Sequence, residues 1–221
     1  ITLTSGALLT VNSNGSFSYD ANHVFDAIGL GDDDTDTFTY RVSDGTCSDT
    51  ATVTITINGE NDCPVAQDDG VSTDEDSPLN GNLKSDNGSG ADSDVDTGDT
   101  TTITEVNGAS GNVGNTITLG SGALLTVNAN GTFNYDPNDQ FETLVTGQDD
   151  SDSFSYTLSD GTCTDSATVT LTIDGVSDAP LASAQSATAF GNMELVGNTG
   201  GLDAAAGASP ARTASVSLLS G

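Results

Sequence analysis

The octapeptide Ser5-Gly6-Ala7-Leu8-Leu9-Thr10-Val11-Asn12 returns unchanged as Ser121-Gly122-Ala123-Leu124-Leu125-Thr126-Val127-Asn128, 116 positions later. The same offset carries Cys47 onto Cys163, and residues 1–66 align with 117–182 without a gap, more than half of the positions being identical. Shared composition does not produce agreement of that length, so one folding unit has been duplicated. The tail reads as the start of a third, diverged copy: Leu195-Val196-Gly197-Asn198 aligns with Leu79-Asn80-Gly81-Asn82, and 214–221 with 101–108. The expected domains are residues 1–62, the C-terminal half of a first repeat; 63–178, a complete second repeat; and 179–221, the N-terminal part of a third. A half repeat cannot bury its apolar face alone, so both ends are expected to be completed by flanking chain or by a neighbouring molecule. Residue 1 is an Ile inside a strand-like run, which is the reading expected of a slice from a longer chain.

Within the repeat the hydrophobic period is two. Phe38-Thr39-Tyr40-Arg41-Val42 and Val53-Thr54-Ile55-Thr56-Ile57 alternate apolar and mostly Thr positions, the signature of half-buried strands. Ser43-Asp44-Gly45-Thr46 between them predicts a hairpin turn, repeated at Ser159-Asp160-Gly161-Thr162. A second hairpin is expected at Asn14-Gly15 and again at Asn130-Gly131, where Asn-Gly supplies positive φ. No segment sustains a helical period, although 138–144 and 189–195 are long enough for short helical turns. About seven short strands in roughly 110 residues, punctuated by Gly, Asn and Asp, predict an all-β fold, a tandem Ig-like Greek-key β-sandwich, with a closed barrel as the alternative.

Charge narrows the partners. The chain holds 33 Asp and Glu against 3 Lys and Arg, a formal charge of -30. Such a surface repels nucleic acid and anionic membranes and concentrates cations. A hydrophobic share of 34% in short runs separates it from disordered acidic chains, and no run reaches the roughly 20 apolar residues of a membrane helix. Abundant Thr, Ser, Asn, Asp and Gly without Trp suits an extracellular bacterial β-protein.

The acids are clustered: Asp32-Asp33-Asp34-x-Asp36, Asp92-x-Asp94-x-Asp96-x-x-Asp99, and Asp149-Asp150-x-Asp152. Two unit charges about 5 Å apart repel by roughly 0.8 kcal/mol even in water, and by more near a protein surface. Ca2+ takes six to eight oxygen ligands in flexible geometry and suits acidic turns, whereas the single His, His23, offers nothing for zinc or copper. The competing reading is that acidic loops keep an edge-rich protein soluble. Asp92-x-Asp94-x-Asp96 opens like an EF-hand loop, but Gly98 comes one place late and the closing Glu is missing.

Catalytic readings find little support. Paired carboxylates on turns lack the Trp or aromatic groove that would hold a sugar. A Ser-His-Asp triad would need His23, whose counterpart in the second copy is Asp139. Two of the three glycosylation sequons, at Asn14 and Asn130, coincide with hairpin turns that already explain the Asn-Gly pair.

These motifs together resemble bacterial cadherin-like and VCBS-type tandem repeats of large surface adhesins. The resemblance is carried by Asn58-Gly59-Glu60-Asn61-Asp62-Cys63-Pro64-Val65-Ala66, Ser72-Thr73-Asp74-Glu75-Asp76-Ser77-Pro78-Leu79, Asp92–Asp99 and Ser159-Asp160-Gly161. It implies a linker at Asn61-Asp62-Cys63-Pro64 that binds calcium together with acidic loops on both sides, an acid at Glu75, a D-x-D pair at Asp94 and Asp96, and an acid at Asp160. With the acidic clusters added, the candidate ligands are Asp32, Asp34, Asp36, Asn61, Asp62, Glu75, Asp92, Asp94, Asp96, Asp149, Asp150 and Asp160. The chain departs from the pattern at Cys63, at the second linker Ser177-Asp178-Ala179-Pro180, which lacks the Asn and the Glu, and at 203–212, where the acids are gone.

Cys47 and Cys63 are separated by a strand of about 20 Å, beyond the Cα separation of about 7 Å a disulfide allows. In a sandwich of this type the last hairpin turn lies at the end where the linker enters the same repeat. A Cys63–Cys163 disulfide is therefore expected, with Cys47 left for a cysteine of a preceding repeat and an oxidising location implied. The function expected is a non-catalytic stalk on the bacterial surface, its junctions stiffened by calcium. The alternative is a filament subunit in which residues 183–221 of one molecule complete residues 1–66 of the next. The partners in either case are neighbouring copies of the same repeat.

Overall fold

The computed structural model describes residues 1–178 together with the backbone of two further strands, Leu195–Asn198 and Thr213–Val216. The rest of the expected third copy lies outside the described residues, as do the helical turn expected before Leu195 and the 203–212 segment. Twelve strands precede residue 178: β1 (Leu8–Val11), β2 (Phe17–Asp20), β3 (Asp33–Ser43), β4 (Ser48–Asn58), β5 (Asp69–Asp74), β6 (Leu79–Asn82), β7 (Thr102–Val106), β8 (Thr116–Thr118), β9 (Leu124–Val127), β10 (Thr132–Asp136), β11 (Asp149–Ser159) and β12 (Thr164–Asp174). A 3-10 turn at Ser110–Asn112 is the one helical element among the described residues. The helical turn expected over 138–144 is a pair of hydrogen-bonded turns, closed by Gln140 N–H on the Pro137 carbonyl and Leu144 N–H on the Phe141 carbonyl.

Strands β5 to β12 form two four-stranded sheets, ordered β6-β10-β9-β8 and β5-β12-β11-β7. The chain crosses between them at β5–β6, β6–β7, β7–β8 and β10–β11, the interleaving of a Greek-key sandwich. Alternation along each strand sends one face inward: Phe154, Tyr156 and Leu158 from β11 and Val169, Leu171 and Ile173 from β12 meet Leu125, Val127, Phe133 and Tyr135 from the other sheet. Each of these buried side chains contributes about 1.5–3 kcal/mol. Phe133 and Phe154 meet edge to face across the sandwich, ring centroids 6.2 Å apart. The first and last strands, β5 and β12, run parallel, pairing Val169 with Asp69 through to Asp174 with Asp74.

The first unit contains two hairpins, β1-β2 and β3-β4. Strands β1, β3 and β4 begin 116 positions before β9, β11 and β12, and Phe17 meets Phe38 as Phe133 meets Phe154. In both Asn-Gly turns only the glycine takes positive φ, +89° at Gly15 and +90° at Gly131. The Asn contributes its side chain instead: Asn14 Oδ1 accepts the N–H of Ser16, and Asn130 Oδ1 that of Thr132.

Candidate metal centre

The linker between the two units is gripped from both sides. Strand β4 ends at Asn58, and Gly59 lies so close to the carbonyls of Ile28 and Gly29 that a Cβ at this position would overlap them. Gly59 donates its N–H to the Asp32 carbonyl at 2.9 Å, and Asp32 donates to the Gly29 carbonyl at 3.1 Å. From the second unit, Asp96 Oδ2 accepts the Asp62 N–H at 2.9 Å, and Thr97 donates to the Ala27 carbonyl at 3.0 Å. Loop 27–32, linker 59–62 and loop 92–99 therefore form one hydrogen-bonded junction.

Carboxylates converge on this junction. Asp94, Asp99 and Asp160 each place one oxygen within 4.8 Å of the others. Asp94 Oδ2 and Asp96 Oδ1 are buried, and no donor reaches either of them. A buried acceptor left without a partner costs about 1–3 kcal/mol, and more when it is charged. Burial pushes the Asp99 carboxyl up, and the charges of Asp96, Asp94, Asp160 and Asp32 push it further. Asp160 is held below the usual carboxylate range, first by the Asn61 amide at 2.9 Å and then by the N–H groups of Cys163 and Thr162. The one ion pair among the described residues is His23–Asp26, so no Lys or Arg side chain neutralises the cluster there. Oxygen donors without nitrogen or thiolate competitors are the ligand set of a hard divalent cation.

The disulfide between Cys63 and Cys163, Cα atoms 5.5 Å apart across 100 residues of sequence, ties the linker to the β11–β12 turn. It thereby keeps Asp160 beside Asn61. Cys47 is free and exposed.

A second acidic group lies where β5 and β12 end. Asp76, Glu142 and Asp178 bring one oxygen each within 4.8 Å of one another. Beside them Glu75 is buried; its Oε1 accepts the Val176 N–H at 2.8 Å, and its Oε2 has no donor. Burial, then the charges of Asp178, Asp139, Asp76 and Glu75, raise the Glu142 carboxyl.

Of the residues singled out from sequence, Asp32, Asn61, Asp62, Asp94, Asp96 and Asp160 come together at the first junction, and Glu75 lies at the second group. Others stand apart. Asp36 accepts from Ser5 Oγ at 2.6 Å and Tyr19 OH at 3.0 Å, and Asp152 repeats the arrangement with Ser121 and Tyr135. Asp92 points inward, accepting from Tyr156 OH at 3.0 Å and Gln67 N–H at 2.8 Å. Asp34 is exposed on β3, and Asp149 and Asp150 are exposed at the start of β11. Asp76, Asp99, Glu142 and Asp178 belong to these groups without having been among the candidate ligands, although the 116-residue offset places Glu142 on Asp26 and Asp178 on the candidate Asp62.

A family model described as a bacterial cadherin-like domain matches residues 61–175, and one described as a bacterial Ig domain matches residues 1–56. No curated protein matches the sequence. Solved structures with some likeness include an endo-fucoidan hydrolase of glycoside hydrolase family 107, at 16% identity over 79% of this chain and 23% of that one, TM-score 0.33. Protocadherin gamma B2 extracellular cadherin domains 1–5 give 20% identity over 78% of this chain and 31% of that one, TM-score 0.38. Human protocadherin-24 EC1-2 gives 15% identity over 79% and 82%, TM-score 0.36. The chain thus spans less than a third of the first two of these proteins. No helix among the described residues is long and apolar enough to cross a membrane. Because the cadherin-like match takes in more than half of the sequence, the chain belongs to the bacterial cadherin-like domain family.

Proposed function

We propose that this chain is a non-catalytic, extracellular structural or adhesive module of a bacterial surface protein, in which Ca2+ at the repeat junctions fixes each domain against the next. The observation that carries the reading is the pair of buried, donorless oxygens on Asp94 and Asp96, set among Asp32, Asp62, Asp99 and Asp160. Without a cation these groups repel one another across a short linker. With Ca2+ bound, six to eight oxygens from three separate segments share one ion, and the linker loses its freedom to bend. The proposed ligands are Asn61, Asp62, Asp94, Asp96, Asp99 and Asp160, with Asp32 from the preceding unit. A second ion is assigned to Glu75, Asp76, Glu142 and Asp178. Residues 1–62, 63–178 and 179–221 then act as links of one array, and the partners of each link are its neighbours. Membership in the cadherin-like family supports this reading.

Calorimetric titration of the intact chain with Ca2+ tests it, read beside small-angle scattering with and without a chelator. Heat of binding that disappears in the Asp94→Asn, Asp160→Asn double variant, together with a longer and narrower particle in Ca2+, is the expected result. Neither heat nor a change of shape in millimolar Ca2+ would sink the proposal.

A further inference from the structure

The geometry points to a redox-controlled cation site: the Cys63–Cys163 disulfide sets the affinity of the junction for Ca2+, so that reduction releases the ion and the bound ion protects the disulfide. The device rests on the calcium reading of this junction and adds a control to it. The bridge lies inside the cluster of oxygens. Asn61 Nδ2 is 3.4 Å from Cys163 Sγ and donates to Asp160 Oδ2 at 2.9 Å. Asp160 Oδ2 is itself 3.4 Å from the same sulfur, and Asp160 Oδ1 accepts the Cys163 N–H at 2.8 Å. On the other arm Cys63 directly follows Asp62, whose N–H is held by Asp96 at 2.9 Å. Each cysteine therefore stands within three residues of a proposed ligand on its own segment.

Among the described residues, two hydrogen bonds and one covalent bond fasten linker residues 60–64 to the second repeat. Both hydrogen bonds end on carboxylates of the proposed ligand set, Asp160 and Asp96. A cation competes for those carboxylates with the groups that hold the linker in place. The disulfide spends no oxygen, and it keeps the two Cα atoms 5.5 Å apart. The next ties, the Val65–Ser93 bridge and the Ala66 N–H on Asp165 Oδ2 at 2.9 Å, lie beyond Pro64. Breaking the disulfide acts in two ways. Asn61 and Asp62 lose their constraint, and the cost of ordering them then falls on the binding of the ion. The freed Cys163 sulfur also becomes a thiol beside Asp160 Oδ2, and its S–H is a weak donor to an oxygen that the ion needs.

Cys63 is exposed and Cys163 half-buried, so a small dithiol reaches the bridge. The dithiol gives up two electrons and two protons, the S–S bond breaks into two thiols, and the dithiol closes into its own disulfide. Linkage makes the effect reciprocal: the factor by which reduction weakens Ca2+ binding is the factor by which bound Ca2+ resists reduction. Reducing surroundings leave the links of the array flexible, and oxidising ones stiffen them once calcium is present. The second acidic group serves as an internal control. It holds no cysteine and lies at the far end of β12 from the bridge. A strand of 11 residues sets the two about 33 Å apart.

The test titrates intact chains with Ca2+ by calorimetry, oxidised and in dithiothreitol, all carrying Cys47→Ser so that this thiol is silent. Glu75→Gln with Asp178→Asn reads the junction alone, and Asp94→Asn with Asp160→Asn reads the second group alone. Reduction is expected to weaken the junction by about 5–150-fold, the usual span of coupling between sites, and to leave the second group unchanged. In graded mixtures of reduced and oxidised dithiothreitol, saturating Ca2+ should shift the midpoint for opening the bridge by the same factor. The Asp94→Asn, Asp160→Asn chain should show no such shift. Equal affinity at the junction in both redox states would overturn the inference and leave the calcium reading standing. Loss of binding at both sites on reduction would overturn it as well, because the repeat would then have unfolded rather than released one ion. No binding by the oxidised chain at either site would sink the calcium reading and this control with it.

Discussion

Asp62 donates its backbone N–H to Oδ2 of Asp96 at 2.9 Å, while Oδ1 of the same carboxylate is buried with no donor. One oxygen thus anchors the linker to the second repeat, and the other is the oxygen the proposed cation would take. The same division recurs at Glu75, where Oε1 holds the Val176 N–H and Oε2 stands free.

That division gives charge removal opposite effects with and without metal. In chelator, Asp94→Asn relieves repulsion among Asp94, Asp99 and Asp160, so the variant should melt at or above the parent temperature. In Ca2+ at about one hundred times the dissociation constant, the parent should gain about 2.7 kcal/mol and the variant much less. Melting curves in the two buffers check this. A variant that melts lower in both would point to a carboxylate with a purely structural role.

The Cys63–Cys163 bridge closes a loop of 100 residues. Cys163→Ala should lower the free energy of unfolding by about 2–4 kcal/mol. A reductant should destabilise the parent by a similar amount and leave the variant unchanged. Urea titrations with and without dithiothreitol give all four values.

Burial at Asp69 predicts a dependence on pH. Its Oδ1 accepts from the Asn87 amide at 2.9 Å, its Oδ2 has no donor, and desolvation, with the neighbouring Asp92 charge adding to it, pushes the carboxyl up to about 6 from 3.8. The folded state therefore favours the protonated acid. The stability this group contributes is full below 3.8 and is lost as pH rises through about 6. Asp69→Asn should raise the melting temperature at neutral pH and leave it unchanged near the unperturbed value. Thermal melts across that window read the difference directly, and a constant offset at every pH would contradict it.

Phe133 and Phe17 occupy the same place in the two copies, one buried and one half exposed. Phe133→Ala should cost about 3–5 kcal/mol, the range for a buried aromatic. Phe17→Ala should cost less than half of that in the chain by itself, because much of its surface already meets water. Chemical denaturation of both variants gives the comparison, and equal costs would show that the first copy is covered.

The hairpins were legible because their cause is local. Alternating Phe38, Tyr40 and Val42 can face only one way from a pleated strand, and Gly15 and Gly131 adopt the positive φ that their turns require. The role of Asn14 was less legible, since its side chain, rather than its backbone, closes the turn. Neighbouring aspartates were hardest to sort. Asp92 and Asp94 lie two residues apart, yet one is bound by a tyrosine 64 positions away and the other joins the carboxylates of Asp99 and Asp160. The hydroxyls that claim Asp36 come from Ser5 and Tyr19, on other segments of the first unit.

By itself, the order of residues determined the duplicated unit, its strand-forming alternation, its turns and an excess of carboxylates without counter-charges. All of these follow from spacings of a few residues or from comparison of the chain with itself. Which carboxylates converge was decided only by tertiary structure, because Asn61 and Asp160, 99 positions apart, meet only after β5 and β11–β12 have joined one sheet. Packing of the two sheets brings distant loops to a common end, and it is there that electrostatic repulsion and the lack of donors single out a few acids from many.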